Sequence, residues 1–219
     1  RRATGGEHGI REGIATVISP HTTCAVFFEE FVRLGDNARA ATAAAVALVP
    51  DLQPSVIAQA LQSFKVAGHR GQQVAEARGI VAIDNSKATN PHAADSALAG
   101  HDSVIWVAGG QLKGAEVDDL IARHAHRLKA VALMGVDRNI IRESVEKHAP
   151  GVPIFVTDDT DPQSAMDAVC AWAVTQASSG DAIVLAPAAA SLDMYTGMGQ
   201  RGVLFAESVS AHLGGVAPK

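Results

Sequence analysis

The chain has 219 residues and a mass of 22.6 kDa, the size of one ordinary domain or of one domain with part of a neighbour. Hydrophobic residues at 47% and charged residues at 19% exclude a disordered or collagen-like chain, and aromatics at 4% leave the core to small aliphatic side chains. With 18 Lys and Arg against 23 Asp and Glu, the net charge of −5 offers no basic excess for a nucleic-acid partner.

Residues 1–34 carry the weakest pattern: Gly13–Ile18 could be a strand and Cys24–Phe31 is an apolar run, with no turn to pair them. Arg1-Arg2 has no apolar stretch behind it, so it is not a signal peptide, and without an initiating methionine the chain is expected to begin inside a longer one. From Asp36 and Asn37, good helix caps, the spacing predicts a helix over 38–49 ended by Pro50, then a second from Pro54 with Val56, Ile57, Leu61 and Phe64 on one face. Gly68-His69-Arg70-Gly71 breaks that pattern and reads as a hinge into a second unit.

Beyond it strands and helices alternate. Strands are predicted over 79–83, 103–108, 130–134, 153–156 and 182–185. Helices are predicted after Asn90-Pro91 and over 117–128, 138–147, 162–177 and 203–213. This order implies a mostly parallel, Rossmann-like α/β sheet with helices on both faces. No run reaches the roughly 18–20 apolar residues of a membrane span, so no membrane partner is expected. Cys24 and Cys170 lie far apart with no CxxC, which suggests neither zinc nor a disulfide and leaves a reducing, cytoplasmic setting as the expectation.

In such a sheet, ligands bind outside the carboxyl ends of the strands. Three unusual segments follow predicted strands: Asp84-Asn85-Ser86-Lys87-Ala88-Thr89-Asn90, Gly109-Gly110-Gln111-Leu112-Lys113-Gly114, and Ala186-Pro187-Ala188-Ala189-Ala190-Ser191-Leu192-Asp193. Lysines and hydroxyls from separate loops at one edge could surround a small dicarboxylate or a phosphate. Singly, each has a plainer role: Asn90 caps a helix, the glycines turn the chain and a lone lysine is solvated.

Other signals are weaker. The Gly109-Gly110 pair lacks the spacing of a dinucleotide fingerprint, and no GxxxxGK[ST] occurs. His124 and His126, two apart on a predicted helix, read as surface residues rather than metal ligands, and no metal site is expected. The run 157–161 lacks calcium-loop spacing and reads as the cap before Pro162. Cys170 reads as core.

Together, Asn-Ser-Lys-Ala-Thr-Asn at 85–90, Ala-Gly-Gly with Lys113-Gly114 behind it, and Leu-Ala-Pro-Ala-Ala-Ala-Ser-Leu-Asp at 185–193 with Arg201-Gly202 beyond resemble the Mur ligases, specifically the D-glutamate-adding type. Gly-His-Arg at 68–70 agrees in order and spacing. The resemblance covers about residues 35–213. It implies that 1–68 is a partial central, ATP-binding domain, helical from about 36, and that 69–219 is the C-terminal, D-glutamate-binding domain.

The implied reaction activates the carboxylate of UDP-N-acetylmuramoyl-L-alanine with ATP and magnesium, after which the amine of D-glutamate attacks. By the same resemblance, Thr89, Lys113 and Ser191 bind D-glutamate with help from Leu192 and Met198. Lys87 lies where negative charge develops and is the expected catalytic residue. Asn37, Arg70 and Asn85 lie on the nucleotide side.

Several positions depart from the family pattern. Asn85 stands where the family has an acid for the nucleotide ribose, Ala40 where it has an asparagine, and Met198 where it has an aromatic. The P-loop, the magnesium ligands and the UDP-sugar domain have no counterpart in this sequence. The expected function is therefore the D-glutamate-binding portion of an amide ligase, inactive alone. The alternatives are a non-catalytic binding or regulatory module derived from such a ligase, and a generic Rossmann-type nucleotide binder.

Overall fold

A computed structural model describes residues 68–214. The expectations for the earlier residues, including the helices over 38–49 and from 54, and Cys24, Asn37 and Ala40, lie outside the described residues. Eleven elements follow in chain order: β1 Gln72–Ala77, β2 Ile80–Asp84, α1 Pro91–Ala99, β3 Val104–Gly109, α2 Asp118–His124, β4 Leu128–Met134, α3 Arg138–His148, β5 Ile154–Val156, α4 Pro162–Gln176, β6 Ala182–Leu185 and α5 Met198–Leu213.

They build one six-stranded sheet in the order β1-β2-β6-β3-β4-β5. β1 pairs antiparallel with β2, and every other pair is parallel. The central strands β3 and β6 are buried along their whole length, which is why they read as unbroken apolar runs. Alternate residues feed two cores. On one face Trp106, Leu133 and Val184 pack with Leu98 of α1, Ile121 of α2 and Ile141 of α3. On the other, Ile105, Val107 and Ile183 pack with Met166 and Cys170 of α4 and Phe205 of α5. Cys170 is thus core, as expected, and its burial pushes the thiol's pKa far up, away from any reactive thiolate.

Capping fixes the helix starts. The Asn90 side chain accepts from Ala93 N at 2.9 Å with Pro91 in the first turn, and Asp161 accepts from Gln163 N and Ser164 N ahead of α4.

The structure differs from the sequence reading at three elements. β1 has no counterpart among the predicted strands. Only its Val74 and Ala75 are buried, so this edge strand lacks a clear apolar alternation. It is joined to β2 through Arg78 and Gly79, both at positive φ, the conformation of a tight type I′ hairpin turn. α2 stops at His124 rather than near Leu128, which opens β4 instead; Arg127 turns back to donate to Leu98 O, Ala99 O and His101 O at the end of α1. α5 starts at Met198 and not at 203.

Candidate functional site

The strand order decides where the three motif loops go. The crossover from β2 to β3 skips a place, and β6 later fills it. The loops after β2, β6 and β3 therefore leave three adjacent parallel strands at their carboxyl ends. Residues more than a hundred positions apart in sequence meet on one rim, at the kind of topological switch point where α/β sheets bind ligands.

Two backbone bonds lock the β3 and β6 loops together. Gln111 N donates to Ala190 O at 2.9 Å and Ala190 N to Gln111 O at 2.8 Å, a short antiparallel bridge. Gly110 permits it: a Cβ there would lie 2.1 Å from Ala190 O. Leu112 N is held by Asp137 Oδ2 at 2.7 Å, and Asp193 Oδ2 accepts from Val136 N at 2.9 Å, so the loop after β4 joins the same rim.

Beneath the rim lies Arg201 of α5, with no exposed surface. Its guanidinium donates to Ser86 Oγ and Ser86 O, to Gly109 O and to Ala189 O, at 2.9–3.3 Å. One side chain thereby ties the β2, β3 and β6 loops to a common point. Burial pushes its pKa down to about 10, which leaves it charged at neutral pH, while Tyr195, Asp193 and Asp84 act in the opposite direction. The β2 loop is braced further. Ser86 Oγ donates to Met198 O at 2.7 Å, Ser86 N to Asp84 Oδ1 at 2.8 Å and Lys87 N to His69 O at 3.1 Å. His69 Nδ1 meets the buried Asp84 Oδ2 at 2.6 Å.

On this scaffold Lys87 and Thr89 are half-buried on the β2 loop and Lys113 is exposed on the β3 loop. Ser191, 4% exposed, sits on the β6 loop. Lys113 adopts φ +54°. Among the described residues neither lysine ammonium forms an ion pair. Leu192 is 67% exposed and Met198 is exposed at the start of α5. Asn85 is buried at the end of β2 and Arg70 is exposed near the start of the described residues. The three loops that carry these residues thus leave adjacent strand ends on a backbone fixed by buried bonds.

Two readings of single residues change. His124 is not a surface residue: it is 2% exposed, and its Nε2 meets Asp95 Oδ1 at 2.7 Å between α1 and α2. Arg201 gave no sequence signal of its own beyond membership in a motif, because an arginine in a helix ordinarily reads as solvated. A cleft between α1 and α2, lined by His92, Asp95, Glu116, Asp119 and Arg123, is dominated by acids and repels a dicarboxylate.

Residues 69–189 match the family described as the Mur ligase, glutamate ligase domain. The chain is 64% identical over 174 residues to the UDP-N-acetylmuramoylalanine–D-glutamate ligase of Corynebacterium diphtheriae, covering 80% of this chain and 37% of that protein. It is 57% identical over 180 residues to the enzyme of the same name from Corynebacterium efficiens, covering 82% of this chain and 38% of that one. Among solved structures, the UDP-N-acetylmuramate–alanine ligase of Thermotoga maritima shares the fold, with a TM-score of 0.53 at 13% identity over 78% of this chain and 37% of that one. The chain therefore spans little more than a third of the length of these relatives, and with a family match over more than half of its own residues it belongs to the Mur ligases.

Proposed function

We propose that residues 69–219 are the part of a peptidoglycan-precursor amide ligase that holds D-glutamate for addition to UDP-N-acetylmuramoyl-L-alanine, and that residues 1–68 derive from the ATP-binding domain of the same enzyme. The observation that supports this best is the rim itself, where loops carrying Lys87, Thr89, Lys113 and Ser191 are drawn together over Arg201. Amide formation requires the amino acid to be gripped by its carboxylates while its amino group points toward the acyl carbon and can shed a proton before it attacks. Lys113, with the Thr89 and Ser191 hydroxyls, supplies that grip, and the exposed Leu192 and Met198 border it. Lys87 places a second positive charge where negative charge grows as the amine attacks.

ATP and magnesium belong to the reaction of the complete enzyme in this reading. No GxxxxGK[ST] occurs in the 219 residues, and no group of three His, Cys, Asp or Glu able to hold a metal occurs among the described residues. No phosphoryl step is therefore assigned to this chain. Asn37, Arg70 and Asn85 take the nucleotide side of the complete enzyme, where Asn85 offers a neutral hydrogen bond in place of a charged one. We also infer a cytoplasmic setting, supported by the free, buried thiol of Cys170; no helix among the described residues is long and apolar enough to cross a membrane.

NMR titration of the 219-residue chain with D-glutamate tests this. The expected result is saturable shifts at the amides of Thr89, Lys113 and Ser191, and a loss of about tenfold in affinity on Lys113→Ala, the scale of one charge-assisted hydrogen bond. Shifts that spare the rim, or that survive Lys113→Ala unchanged, would overturn the reading.

A further inference from the structure

The grip described above accounts for the carboxylates of an acidic amino acid and leaves its ammonium without a partner. Lys87 and Lys113, which form no ion pair among the described residues, repel that ammonium, and an acceptor beside it would offset the repulsion; four side-chain acceptors on or near the three loops are already engaged. Asp84 takes His69 Nδ1 on one oxygen and Ser86 N on the other. Asn90 is occupied as the cap of α1. Asp193 accepts from Val136 N, and its second oxygen is sealed from solvent. Gln200 Oε1 takes both the amide and the hydroxyl of Thr196.

Gln111 is different. It is exposed, and among the described residues only its backbone is engaged, in the bridge to Ala190. That bridge fixes it one position from Ser191 across the seam and two positions before Lys113. Leu112 beside it is buried, as expected of a strand-like segment whose neighbouring residue faces outward. A neutral amide oxygen accepts from an ammonium without repelling the carboxylates nearby, which a carboxylate at this position would do.

We propose that Gln111 is a specificity-determining residue of this rim, whose amide oxygen receives the α-ammonium of the bound acidic amino acid and so separates amino acids from plain dicarboxylates. This rests on the reading of the rim as an acidic amino-acid site. The test titrates the 219-residue chain by NMR with D-glutamate and with glutarate, the same dicarboxylate without the amine. The unmodified chain should prefer D-glutamate. Gln111→Ala should cut D-glutamate affinity about tenfold and leave glutarate unchanged, whereas Gln111→Glu should keep or widen the preference. Equal binding of the two ligands by the unmodified chain, or an equal effect of Gln111→Ala on both, overturns this inference alone. Binding of neither ligand overturns the acidic amino-acid reading and this inference with it.

Discussion

Arg201 has no exposed surface, and its guanidinium makes five hydrogen bonds, all to neutral oxygens on three loops. The cost of burying a charge is offset only while each of those bonds is made. Arg201→Ala strips Ser86, Gly109 and Ala189 of their donor and leaves a cavity at the point where the loops meet. It should cost about 3–5 kcal/mol in urea unfolding, from the cavity left by a large buried side chain together with buried oxygens that lose a donor. Arg201→Lys keeps the charge but cannot span three loops with one point donor, so it should recover only part of the stability. Loss of the D-glutamate titration alongside would mark the bonds as what positions Lys87, Thr89 and Ser191. None of this was legible from the residue itself; only its partners, scattered from 86 to 189, give it meaning.

Where α1 meets α2, the pairing of His124 and Asp95 sets a pH dependence. Burial lowers the His124 pKa below its ordinary 6.5, against the opposing pull of Asp95. Geometry agrees, since Nε2 meets Asp95 while Nδ1 is buried with no partner among the described residues, where a second proton would have nothing to bond. The folded state therefore binds fewer protons than the unfolded one. The contribution is fully present above pH 6.5 and declines as pH falls below that value. Asp95 behaves in the opposite range: burial works to raise its pKa, but the bonds from His124 and Arg123 outweigh that and hold it below the usual carboxylate value. Its contribution thus persists until strongly acid pH. Melting temperature measured from about pH 7.5 down to about pH 5 should fall in the unmodified chain, and His124→Gln should flatten that slope. A slope unchanged by the substitution would place the titrating group elsewhere.

Val66–Lys219 forms one compact unit, with a sheet covered on both faces by its own helices. Enough apolar surface is enclosed within it to expect independent, cooperative unfolding. A fragment spanning 66–219 should therefore melt in a single transition and give the same D-glutamate shifts as the 219-residue chain. A fragment that unfolds gradually, or binds only when residues 1–65 are restored, would show that the rim depends on the preceding residues.

By itself the sequence determined the alternation of strands and helices, the small-aliphatic core and the three motif loops. These are local properties, written in apolar periodicity, in caps such as Asn90 and Asp161, and in runs of buried residues such as Val104–Gly109. Tertiary structure alone decided the strand order, with β6 set between β2 and β3, the antiparallel edge strand β1, and the burial of Arg201 and His124. The reason is one of range. Periodicity reports how a segment meets an apolar layer, whereas neighbours in a sheet and partners of a buried charge are chosen by residues far along the chain, whose approach leaves no mark on the local pattern.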